Sequence, residues 1–67
     1  MMKISISKLS VAMVNAGIDS SKRLAEVAGV SVNTISRLRN GGSAKITTLR
    51  RLAEALGVSP SDILEGE

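Results

Sequence analysis

No cysteine, histidine or aromatic residue occurs in the chain, and each absence narrows what it can do. Without cysteine there is neither a disulfide framework nor a thiolate metal site. Without histidine the commonest general base and the commonest metal ligand are missing. Without Phe, Trp or Tyr the core has to be built from Leu, Ile, Val, Ala and Met. Such a core suits a compact helical bundle and argues against recognition of RNA by base stacking. The six carboxylates, Asp19, Glu26, Glu54, Asp62, Glu65 and Glu67, are spread over several segments and offer no evident acid–base pair, so an enzyme is not expected. No apolar run is long enough to span a bilayer, and the amino terminus lacks a signal-peptide pattern. The chain therefore reads as cytoplasmic, with no membrane, metal, cofactor or small-molecule ligand implied.

What is present fits one small domain. Sixty-seven residues lie near the lower limit of what a single core stabilises unaided, and the chain from 1 to 67 has no internal repeat and no linker. Nine basic against six acidic residues give a net charge of +3, a positive balance compatible with a nucleic-acid partner.

The organising stretch is Leu24 to Asn40, LAEVAGVSVNTISRLRN. Leu24, Val27 and Ala28 recur at helical spacing in its first half, and Thr34, Ile35 and Leu38 in its second. Gly29 suits the left-handed position that ends a helix, with Val30 packing back beneath the turn. Ser31 is placed to cap the next helix. Two helices joined by a tight glycine-containing turn form a helix-turn-helix, here over about 21–40. At about 100° per residue, Val32, Asn33, Ser36, Arg37 and Asn40 share the sector opposite Thr34, Ile35 and Leu38. That outward sector has amides, a hydroxyl and a guanidinium but no carboxylate, the groups that pair with base edges and phosphates in a major groove. Taken alone, it is equally a solvated helix face that lacks acids, and the neighbouring segments have to decide.

The chain resembles the lambda-repressor-like helix-turn-helix proteins of the phage repressor and Cro type, also termed XRE-like. The resemblance is carried by Leu24-Ala25-Glu26, Ala28-Gly29-Val30-Ser31, Thr34-Ile35-Ser36-Arg37 and Asn40-Gly41, then Leu49 and Leu52-Ala53-Glu54-Ala55-Leu56-Gly57-Val58-Ser59. It extends from Leu9 to Leu64. It implies an all-α, compact five-helix fold with the helix-turn-helix at helices 2 and 3. It also implies base reading by Val32, Asn33 and Arg37, with Ser36 as a fourth position. Asn33 would pair with adenine, Arg37 with guanine, and Val32 would meet a thymine methyl. Ser21, Asn40, Gly41, Ser43 and Lys45 are the expected DNA-backbone residues. The family usually has glutamine where this chain has Ser21. Lys22 and Arg23 replace acids common there; cations oppose the helix dipole at that end, but a phosphate would accept them.

The flanking segments give further expectations. Met1 to Ile6 reads as an extended lead-in without a partner strand. Ser5 or Ser7 caps a first helix running to about Ala16, with Leu9, Ala12, Met13 and Ala16 inward and Val11, Val14 and Asn15 outward or marginal. Gly17 ends it and Ile18 enters the core; Ser20 caps the next helix. Asn40-Gly41-Gly42-Ser43-Ala44-Lys45 lacks Walker spacing and fits a loop along the DNA backbone. Ile46, Leu49, Leu52, Ala53 and Leu56 mark a fourth helix closed by Gly57, with Arg50, Arg51 and Glu54 as ordinary charges on its wet side. Ser59-Pro60-Ser61-Asp62 announces a short fifth helix, followed by a polar tail, Glu65-Gly66-Glu67.

The function expected is a sequence-specific double-stranded DNA-binding transcriptional regulator, a small repressor of phage or mobile-element type acting by operator occupancy. A dimer would lay two recognition helices in successive major grooves of a near-palindromic operator. Any dimer is expected to form through this domain, at Val58, Ile63 and Leu64, and to be weak without DNA. The alternative is an antitoxin or adaptor-like protein-binding module on the same fold.

Overall fold

Three serines start three of the helices in the same way. Ser5 accepts a hydrogen bond from the Lys8 amide at 3.2 Å, Ser20 from Arg23 at 3.1 Å and Ser31 from Thr34 at 3.1 Å. Each thereby satisfies an amide that the helix itself leaves unpaired. The computed structural model describes residues 2–65. The elements in order are β1 (Met2–Lys3), α1 (Ile6–Asn15), α2 (Ser21–Ala28), α3 (Val32–Arg39), β2 (Ser43–Ala44) and α4 (Ile46–Leu56). A single 3-10 turn, Pro60–Ile63, follows.

The core is aliphatic and lies where the helices converge. Leu9, Leu24, Ile35, Leu38, Leu49 and Leu52 are fully buried, one or two from each α-helix, and are joined by Ile4 and Ile63 from the two ends. No buried polar or charged residue interrupts this core among the described residues. The three- and four-residue spacings are thus core stripes, each covered by the other helices.

Four expectations from the sequence are corrected. The lead-in does have partners: β1 pairs antiparallel with β2, Met2 opposite Ala44 and Lys3 opposite Ser43. Ile4 then bridges to Leu64, the Ser5 amide donates to the Ile63 carbonyl at 2.9 Å, and Glu65 donates to Lys3 at 2.9 Å. A two-residue strand is too short for alternation to reveal, and its partner sits in a glycine-rich loop. The expected fifth helix is only the 3-10 turn. Pro60 starts it, and Asp62 accepts from the Ser59 amide at 3.0 Å, but the chain turns extended at Leu64 to meet Ile4. Ala16 is exposed rather than inward, because α1 ends at Asn15. Val27 and Ile46 are 46% and 59% exposed; they lie at the edges of apolar stripes, where the packing of the helices covers them only in part. Met1, Gly66 and Glu67, which belong to the lead-in and the tail, lie outside the described residues.

Candidate nucleic-acid interface

The angle between α2 and α3 is set by their junction. Gly29 takes a left-handed conformation, φ 72°, directly after α2, and the Gly29 and Val30 amides both donate to Ala25 at 2.9 and 3.1 Å. Val30 is partly buried against the core. Ser31 then opens α3, its hydroxyl 2.8 Å from that of Thr34. Arg51 of α4 donates to the Gly29 carbonyl at 3.4 Å. It places a cation at the C-terminal end of α2, where the helix dipole favours one. Arg51, expected from its spacing to be an ordinary charge on the wet side of α4, instead has a partner in the turn.

On α3, Ile35 and Leu38 are buried and Thr34 is half-buried. Val32, Asn33, Ser36, Arg37 and Asn40 are exposed. The solvent-facing side of α3 therefore contains the expected carboxylate-free set, with Arg39 exposed as well. Asn40 ends the helix, its amide donating to Ser36 at 3.1 Å and Arg37 at 3.2 Å.

Gly41 and Gly42 complete a tight reversal. Gly41, at φ 97°, donates to Leu38 at 3.1 Å, and Gly42 donates to Arg37 at 3.0 Å. This pair of bonds is a Schellman closure of the helix. A β-carbon on Gly42 would lie 2.8 Å from the Arg37 carbonyl oxygen and 3.1 Å from the Arg37 Cγ. Only glycine lets the loop press against α3 there. The reversal delivers Ser43 and Lys45 to the same cleft as Arg37, about 210 Å³ in volume and also lined by Thr34 and Thr48. Lys45, extended and exposed, precedes α4 with no side-chain cap on that helix.

The other backbone candidates gather at the start of α2. Lys22 and Arg23 are exposed, and Arg23 lies 3.7 Å from Glu26 on the same helix, a solvated pair of small energetic weight. The half-buried Ser21 accepts a hydrogen bond from Arg39 at 2.9 Å. Arg39 was missed by the sequence reading. The signal available was indirect: Ser21 is too short to span to α3 by itself, whereas Arg39 is long enough to reach it.

The three residues expected at a dimer contact are distributed differently. Val58 and Leu64 are half-buried, whereas Ile63 is fully buried in the core and has no surface to offer. Among the described residues, no three acidic side chains come together in a way that would hold a metal ion, and no helix is long and apolar enough to cross a membrane.

Two helices set by a glycine turn, the second with an exposed polar and cationic face, define the helix-turn-helix class of DNA-binding domain. Residues 8–67 match the family model of the Cro/C1-type HTH DNA-binding domain. The chain belongs to that family and is a DNA-binding regulator. Among curated proteins no match was found.

Proposed function

We propose that the protein is a sequence-specific regulator of transcription that represses by occupying an operator in double-stranded DNA. The observation that carries this reading is the exposed face of α3, where Val32, Asn33, Ser36 and Arg37 stand together without a carboxylate. In this reading α3 lies in the major groove and those four residues meet base edges. Ser43 and Lys45 hold the phosphate backbone on one side of α3, with Asn40 and Gly41 beside them. Ser21, Lys22 and Arg23 hold it on the other, joined by Arg39. Phosphate contacts supply much of the affinity and base contacts the discrimination. A phage or mobile-element origin is part of the proposal and rests on the sequence resemblance.

The operator is near-palindromic in this proposal, bound by two copies whose mutual contact is weak. With Ile63 committed to the core, Val58 and Leu64 leave little apolar area for pairing, well below a standard interface. Selection of bound sequences from random duplex DNA at stated salt tests the whole reading. The expected result is a half-site motif repeated at one-turn spacing. Uniform, sequence-blind recovery would reject it.

One observation favours the alternative of a protein-binding module. Val11 and Val14 are 60% and 77% exposed on α1, and Val11 borders a groove shared with Val58 and Asp62. In that case the selection would return no motif.

A further inference from the structure

The strand pairing sets Lys3, which lies outside the helix-turn-helix, beside Ser43. In an antiparallel pair, residues directly opposite each other project to the same face, and alternate residues share a face. Lys3 is opposite Ser43. On the other face Ala44 and Ile4 are buried in the core, which turns Lys3 and Ser43 outward. Lys45, two residues beyond Ser43 in extended conformation, continues that outward row. Lys3 is exposed, whereas its backbone is fixed from both sides, by β2 and by the Glu65 amide. Adjacent strands lie about 4.8 Å apart, so the Lys3 backbone lies one strand over from Ser43, which lines the Arg37 cleft.

We propose that Lys3 is a DNA-backbone contact, delivered by β1 to the outward row of Ser43 and Lys45, with Glu65 on the opposite side of β1 sharing that face. The proposal rests on the DNA-binding reading and extends its footprint to the amino-terminal strand. Lys3 is a point charge on a flexible stem, suited to a phosphate and not to base discrimination. Its ammonium releases one counterion equivalent on binding. Its removal therefore lowers the slope of log affinity against log salt by about 0.9, equally on all duplexes.

The test uses the full chain, a pool of random-sequence duplexes and the duplex selected from that pool. Salt titrations are run for the parent, Lys3→Gln and Lys3→Arg, with thermal melting by circular dichroism alongside. Lys3→Gln is expected to lose about 0.9 from the slope on both DNAs and to melt like the parent, with Lys3→Arg keeping the parental slope. An unchanged slope in Lys3→Gln overturns the assignment. A slope lowered equally in Lys3→Arg also overturns it, since the effect would then follow the shape of the side chain and not its charge. A parent that binds no duplex at low salt overturns the DNA reading and this assignment together. Parental binding with an unaltered Lys3→Gln slope rejects the assignment alone.

Discussion

Arg37 and Lys45 border one cleft yet are expected to do different work. In the proposed complex Arg37 projects from the helix that would enter the groove, where a guanidinium can pair with guanine through two hydrogen bonds. Arg37→Ala is expected to lose roughly 1–3 kcal/mol of specific binding and to relax selection at one base position. Affinities for the operator and its single-base variants check this, and equal weakening on every sequence would make Arg37 a phosphate contact. Lys45 stands in the loop, so Lys45→Ala is expected to weaken all duplexes alike and reduce the salt slope by about one unit. An unaltered slope would leave Lys45 in solvent. Burial at this scale was legible wherever a residue sits at the centre of an apolar stripe, as Leu24, Ile35 and Leu52 do. It was not legible at stripe edges. Val27 and Ile46 have the spacing of core residues, but whether an edge position is covered depends on a neighbouring helix that local sequence does not specify.

The helix-turn-helix is held as an element by its ends. Ser20 and Ser31 cap the two starts, the Gly29 turn joins them, and Arg39 ties the end of α3 to the beginning of α2. Most of this was written locally, because caps and glycine turns act within a few residues. The bond between Arg39 and Ser21 was not, since it joins positions eighteen apart. Gly42 provides the sharpest test of an element. Its missing β-carbon would meet backbone, the Arg37 carbonyl at 2.8 Å, so a shift of either loop or helix has to follow. Gly42→Ala is expected to cost about 1–3 kcal/mol, the usual range for overpacking, and to weaken DNA binding by displacing Arg37. Melting temperature and affinity measured on the same preparation check both parts. A variant that melts and binds like the parent would show that the loop does not bear on α3.

The whole molecule stands on a small core without aromatic residues. Leu38 is fully exchanged from solvent into that core, and a buried Leu→Ala change costs roughly 2–5 kcal/mol. A domain of this size has little more in reserve, so Leu38→Ala is expected to unfold or nearly so. Circular dichroism is the suitable probe, because the chain has no Trp or Tyr. A melting point within a few degrees of the parent would remove Leu38 from the core. Self-association is expected to be weak at micromolar concentration and cooperative on the operator, since Ile63 is spent inside the fold. Sedimentation alone, with a half-site and with a full operator decides this. A tight dimer without DNA refutes the weak contact, and one-to-one binding on the full operator refutes the dimer.

The sequence by itself determined the four α-helices, the glycine turn between the second and third, and the carboxylate-free face of α3. These follow from serine caps, glycine stops and helical spacing, all of which act over one or two turns of chain. Only the tertiary structure decided where the two ends of the chain go. The pairing of Met2–Lys3 with Ser43–Ala44, the bridge from Ile4 to Leu64 and the burial of Ile63 join segments remote in sequence. Two-residue strands carry no periodicity of their own, so their partners are chosen by the packing of the helices that bring them together.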